Sequence, residues 1–364
     1  MLLSQTQILL LAALALWLVP LLFIWLRYSR LPHAQELLLA ILFLPSLLTD
    51  QLILSFDSQS RWAFLAGLFN GMPVIVAALL VLAVAKTVLE KGLYLVWPIW
   101  ACVSLAVLLQ IPFLLIPLED KLQLLQQPLL GNLAAHWPLY AYLALCHFMV
   151  LFLAFNVEQK ISDYQAHLSD QVVDVHFYRM SVAVKLFGGL IMLAFVSLVL
   201  TMLVAFDLLP FDHWREFIHL GYYFLFIALS ITLMESRRYS PSPLDYKQLS
   251  EPHHSEAYLQ EILHSAEKAM IQHKAYKIIG LRIKEFAELA KVNPSALAIA
   301  TRKLLNRNFR AFVYHYRLEY AKNVLMRSDA RVSAVAKRLG FDSEKFLSGV
   351  FVKYIEQMGK DGGH

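Results

Sequence analysis

Five polar side chains stand among residues that are otherwise almost entirely apolar: Asp50, Asn70, Gln110, His147 and Tyr222. A carboxylate, two amides, an imidazole and a phenol are hydrogen-bonding groups, and each is costly to bury in hydrocarbon without a partner. The chemistry open to such a set is the binding of a small polar molecule; the alternative is hydrogen bonding that holds helices together. Gln51, Tyr140, His219 and Tyr223 add further polar and aromatic groups to it. Catalysis of the common kinds has no foothold, because the sequence contains no phosphate loop, glycine-rich dinucleotide turn, H-E-x-x-H or nucleophile elbow. Cys102 and Cys146 sit in apolar stretches as small buried groups, and His253-His254 is too isolated a pair to argue for a metal. No catalytic residue, cofactor or metal is expected.

The elements that must position these groups are membrane spans. A chain that is 59% apolar with a mean hydropathy of +0.55 does not have the composition of an ordinary soluble protein. Seven apolar stretches, 7–26, 37–56, 62–85, 93–116, 137–156, 183–206 and 217–234, are each long enough to cross the hydrocarbon core. At 1.5 Å per residue, Asp50, Asn70, Gln110 and His147 fall about 7 to 16 Å from the outer ends of spans two to five. They share one depth band, with Tyr222 near the start of span seven, open in principle to a small-molecule ligand from the periplasmic side. Pro45, Pro73, Pro98 and Pro112 could bend spans two to four around a cavity. With no Lys or Arg inside any span at its depth, Asp50 is expected to lack a salt bridge.

Orientation follows from basic residues. The loops and ends after spans one, three, five and seven hold nine Lys and Arg, and those after two, four and six hold only Arg61, Lys121 and Arg215. That asymmetry puts the C-terminus in the cytoplasm and the N-terminus in the periplasm of a bacterial inner membrane. From Ser236 onward 22 Lys and Arg face 13 Asp and Glu, whereas the preceding 235 residues hold 10 against 14. A basic tail on an acidic membrane segment points to a polyanion partner. The loop 157–182 is acidic, with Glu158, Asp163, Asp170 and Asp174 against Lys160 and Arg179. It could hold or mask the basic tail, or equally be a solvated helical extension.

After a Pro- and Ser-rich stretch that reads as a linker, 257–274 is a helix with Leu259, Ile262, Leu263, Ala266 and Met270 on one face. That stripe is read as a packing face, with a homodimer seam as the alternative. Two further patterns share one grammar. In the first, 283–290 is followed by the turn Lys291-Val292-Asn293-Pro294 and a second helix, with Asn293 as cap and Pro294 in the first turn. In the second, 332–339 breaks at Gly340-Phe341-Asp342 and restarts at Ser343. Between them, 309–326 would be a rod of about 27 Å, enough to set two recognition helices on one face of a duplex.

These residues resemble the DNA-binding domain of the AraC/XylS family. The resemblance spans about 275–354 and rests on Ala287, Val292-Asn293-Pro294 and Leu297, on Tyr316-Arg317-Leu318-Glu319 with Ala321-Lys322 and Leu325, and on Val335-Ala336, Gly340-Phe341, Ser343, Phe346 and Phe351. It implies base-reading positions at Ser295, Ala298 and Ile299 in the first unit and at Glu344, Lys345, Ser348 and Gly349 in the second. Of these, Lys345 and Ser348 are best suited to base edges and Glu344 to a cytosine amino group. Arg302, Lys303, Arg307, Arg310, Lys337, Arg338 and Lys353 suit phosphate contacts. The chain departs from the family's closing Gly-x-(Ser/Thr)-Pro-x-x-Tyr-Arg segment, running Lys353-Tyr354-Ile355-Glu356 instead.

The expected architecture is all-α: a seven-helix transmembrane bundle over 1–238, a linker over 239–256 and a cytoplasmic double helix-turn-helix domain over 257–364. The function it implies is a membrane-embedded one-component transcription regulator that is not an enzyme, with double-stranded DNA and the lipid bilayer as partners. A transporter or receptor whose tail is a protein-interaction module is the alternative.

Overall fold

The computed structural model describes residues 4–31, 33–57, 61–88, 93–121, 130–235, 254–327, 331–341, 348, 349 and 352. Among the described residues the chain is all-helical, with thirteen α-helices, no strand and one isolated antiparallel bridge. It forms two compact units, Met1–Ser162 with Met180–Ser236 and Asp163–Arg179 with Arg237–His364. The segment Asp163–Arg179, expected as a loop of the membrane bundle, is thus built into the C-terminal unit. Most of the expected linker, 239–256, lies outside the described residues.

The first unit contains α1 (Gln5–Arg27), α2 (Ala34–Phe43), α3 (Thr49–Phe56), α4 (Met72–Val88), α5 (Leu93–Leu114), α6 (Leu133–Ala166, whose last residues belong to the second unit), α7 (Ser181–Ala205) and α8 (Trp214–Met234). Among the described residues six stretches are long and apolar enough to cross a membrane, Met72–Lys86 is a shorter apolar helix, and the set fits a multi-pass membrane protein. Helix α8 is the centre of the bundle. It packs against α1, α2, α4 and α7 and against the 3-10 turn Leu44–Leu48 that joins α2 to α3. Its buried face carries Trp214, Ile218, Tyr222, Phe226, Leu229 and Leu233. Pro45 sits in that 3-10 turn, so span two is broken where the proline was expected to bend it. Outward faces are apolar too, with Trp25, Leu108, Met192 and Phe195 all more than half exposed, the surface a lipid solvent requires.

Span three differs from expectation. Its helix starts at Met72 rather than near Trp62, and residues 61–71 run through turns and a 3-10 segment, Ala63–Leu65. Gly67, at φ +68°, takes a left-handed conformation that ends any helix entering from Trp62.

The second unit contains α9 (Glu256–Gln272), α10 (Ile283–Ala290), α11 (Pro294–Leu305), α12 (Phe309–Arg327) and α13 (Val332–Arg338). The Ser255 hydroxyl accepts from the Tyr258 N–H to start α9, whose buried Leu259, Ile262, Ala266 and Met270 pack on α10 and α11. The stripe expected on this helix is therefore a packing face. Lys291, left-handed at φ 57°, closes α10, and the Asn293 carboxamide then accepts from the N–H groups of Ser295 and Ala296 to open α11. Helix α12 belongs to two cores. Phe309, Phe312 and Val313 join the first with Phe286, Ala287 and Leu297, while Leu318 and Ala321 join the second with Val335, Ala336, Leu339 and Phe341. At φ +73°, Gly340 turns the chain out of α13 so that the Phe341 N–H reaches the Ala336 carbonyl and its ring enters the second core. A Cβ at Gly340 would sit 3.3 Å from the Ile279 side chain. Gly340→Ala should therefore destabilise the C-terminal unit by about 1 to 2 kcal/mol, the left-handed penalty for an L-residue. Gly349, with nothing within 4 Å of a built Cβ, should accept Ala without loss. Thermal unfolding of the two full-length variants checks the contrast.

Candidate nucleic-acid interface and membrane polar cluster

On α11, Ser295, Ala298, Ile299 and Arg302 follow one another at helical spacing and so share one face. Ser295 is half-buried at its start. Ala298 and Ile299 are 2% and 6% exposed, and every residue from Ala296 to Thr301 is buried. This corrects the expectation that Ile299 reads a base: its apolar side chain belongs to a buried cluster with Val173, Leu259, Phe286 and Phe312. Arg302 and Lys303, at the C-terminal end of α11, are exposed, as are Arg307, Lys337 and Arg338. On α12, burial and the neighbouring Arg307 charge hold His315 below its ordinary pKa, disfavouring its positive form. In the second unit Ser348 is exposed, while Glu344, Lys345 and Lys353 lie outside the described residues.

The segment Asp163–Arg179 is pinned to this domain by backbone and charge together. Val172 pairs with Arg282 in the antiparallel bridge, through Val173 N–H to Leu281 O (3.1 Å) and Ile283 N–H to Gln171 O (2.7 Å). The Asn308 amide donates to the Ser169 hydroxyl, and Arg302 donates to an Asp170 carboxylate that is almost wholly buried. Deepest of all is Asp174, whose two oxygens accept from Arg317 Nη1 at 2.7 Å and Nη2 at 3.1 Å, both side chains being fully buried. Arg317 also donates through Nε to Tyr276 O and through Nη2 to Ile278 O, and Asp174 accepts the Gly280 N–H at 2.6 Å. Four of the guanidinium's five N–H groups thus go to one carboxylate and two carbonyls, the arrangement that makes a buried cation tolerable. Asp170 and Asp174 were visible in the sequence as acidic charge; nothing in their spacing named Arg302 and Arg317 as partners.

In the membrane unit the five polar residues fall into two groups. Asp50, Asn70 and Gln110 converge on Gly67: its N–H donates to Asp50 Oδ1 at 3.0 Å, its carbonyl accepts from Gln110 Nε2, and Asn70 stands beside it. They serve the backbone freed where span three breaks, as non-helical chain at membrane depth requires. Asp50 is not alone, contrary to expectation, because Arg215 at the start of α8 reaches it at 3.2 Å. The long guanidinium stem brings a charge to a depth that a count of residues within spans does not include. Asn70 and Arg215, with Ala66, Phe113, Lys121 and Leu139, line a cavity of about 20 Å³, the scale of a single water. His147 and Tyr222 form a separate pair, Nδ1 to hydroxyl at 3.2 Å, between α6 and α8.

Helices α10 and α11 form a helix-turn-helix, and α12 joins it to a second core around α13, on the same chain as a set of membrane-length apolar helices. Residues 286–358 match the family model described as a helix-turn-helix domain, and this part of the chain is an AraC-type domain. No curated protein and no solved structure matches the chain.

The Asp174–Arg317 pair generates a stability prediction. Asp174→Ala strands a buried guanidinium and should cost about 3 to 5 kcal/mol, as should Arg317→Ala for the opposite charge. The double variant Asp174→Leu/Arg317→Met should recover much of that loss. Chemical denaturation of the full chain, followed through the C-terminal unit, measures the cycle; additive losses would mean that the two groups are not coupled.

Proposed function

We propose that this protein is a one-component transcription regulator of the bacterial inner membrane, whose transmembrane unit senses a signal and whose cytoplasmic AraC-type domain binds promoter DNA while still tethered. The observation that carries this reading is the AraC-type domain on the same chain as a multi-pass set of apolar helices. The basic excess after Ser236 supports a cytoplasmic polyanion as its partner. On this reading the second unit supplies sequence preference through Lys345 and Ser348, and Lys303, Lys337 and Arg338 supply phosphate contacts. The protein carries no enzymatic activity. The signal acts in the outer half of the bundle, where Asp50, Gln110 and Arg215 hold the broken third span.

Genome-wide mapping of DNA bound by the full chain tests the function, and discrete promoter sites are expected. In vitro, Lys345→Ala should lower affinity for such a site by about 1 to 3 kcal/mol and relax preference at one base position. Equal losses on cognate and random DNA would remove Lys345 from the reading face. On the sensing reading the bundle exchanges between two packings, and Asp50→Asn, which removes the negative charge that Arg215 pairs with, should favour one of them. The expected outcome is a reporter fixed near one extreme at unchanged membrane protein level. An intact response would confine Asp50 to holding the fold.

A further inference from the structure

A helix that reads DNA needs polar side chains exposed along one face. On α11 the aligned positions Ala298 and Ile299 are buried in the domain's own core, where α9 packs, and the exposed basic groups lie at the C-terminal end, Arg302 and Lys303. That core includes Val173 of Asp163–Arg179, and at the C-terminal end of α11 the Arg302 guanidinium already holds an anion, the Asp170 carboxylate. A carboxylate and a DNA phosphate are alternative partners for the same guanidinium. We propose that the C-terminal end of α11 is a docking surface for the segment Asp163–Arg179, which withholds Arg302 from DNA, so that docking and full engagement of DNA by the first unit exclude one another.

The inference rests on the DNA-binding reading above and adds an intramolecular partner to it. The two ion pairs divide the work. Asp174–Arg317 is fully buried and anchors the segment, whereas Arg302 is 42% exposed and can turn to another anion when the Asp170 carboxylate, 6% exposed in place, regains water on undocking. Undocking is thus release of the stretch from Leu168 through the bridge at Val172, with Asp174 still anchored. Asp163–Arg179 leaves α6 and enters α7, so whatever moves those helices pulls on it directly. By linkage, DNA that captures Arg302 weakens docking by the same factor that docking weakens DNA.

Val172 and Arg282 form a non-hydrogen-bonded antiparallel pair, for which Cα atoms lie about 4.5 Å apart, within the range a disulfide spans. The experiment uses the full chain in lipid nanodiscs with Cys102→Ala and Cys146→Ala, carrying Val172→Cys and Arg282→Cys. Oxidation should form the bond without DNA present. The oxidised protein should bind its promoter site at least about tenfold more weakly, with a shallower salt dependence, and reductant should restore both. Asp170→Asn, which needs no disulfide, should move the other way, to tighter binding and a steeper salt slope. Failure of the bond to form in membranes, equal affinity and salt slope in both redox states, or unchanged binding by Asp170→Asn would each overturn the proposal. Absence of DNA binding by every form, the cysteine-free parent included, would overturn the DNA-binding reading itself.

Discussion

A guanidinium cut off from water has to find its hydrogen bonds inside the protein, and Arg317 finds them by drawing in Asp174 from 143 residues earlier in the chain. Asp174 neutralises it, and the carbonyls of Tyr276 and Ile278 accept from it as well. Without Asp174 this part of the C-terminal unit would hold an unpaired buried charge, so Asp163–Arg179 is a structural member of the unit. The rest follows from that anchor. Asp174 also takes the Gly280 N–H, the Tyr178 hydroxyl donates to the Gly280 carbonyl, and the bridge to Arg282 extends the contact toward α10. Gly340 then leaves space against Ile279 and the Arg317 side chain for the turn out of α13. One ion pair thereby ties the start of the first helix-turn-helix to the connecting helix and the second.

The same accounting governs the membrane unit, with lipid as the solvent that cannot help. Gly67 interrupts a helix at a depth where a free N–H and carbonyl would cost several kcal/mol each. Asp50 and Gln110 take up those two groups, and Arg215 balances the carboxylate. A break held by side chains from several helices is a place where two packings can differ little in energy, because each bond can be exchanged for another nearby. That makes it a reasonable seat for a sensor, and the cavity beside it matches water or one small polar group in size.

What the sequence made legible and what it concealed divide along a physical line. Local grammar was readable: Asn293 caps α11, Lys291 and Gly340 close α10 and α13, and Leu259, Ile262, Ala266 and Met270 face inward on α9. These depend on neighbours a few residues away. Pairings across more than 100 residues left no periodic trace, so Asp170 and Asp174 appeared only as acidity without partners. Arg215 escaped because it lies two residues before the apolar run that defines its span, yet has a side chain long enough to act inside it. Span three misled because 62–85 is apolar throughout, and hydropathy cannot see the left-handed turn at Gly67. For Ile299, alignment with a reading position suggested exposure, while its own chemistry predicted the core; chemistry prevailed.

Two covalent routes join the membrane helices to the C-terminal unit, and they differ in what they can carry. One is the Pro- and Ser-rich stretch 239–256, read from the sequence as a linker that keeps the domain nearby. The other is Asp163–Arg179, fixed by an isolated bridge, a bidentate ion pair and buried Leu168 and Val172. A rigid segment whose two ends continue into α6 and α7 must either move with them or give up bonds, and both responses are defined states rather than a distribution. On the proposed reading, then, the C-terminal tether sets where the domain is and Asp163–Arg179 sets what it can touch. On that reading the Asp170 carboxylate that restrains Arg302 acts from a segment between two membrane helices, where their movement reaches it first.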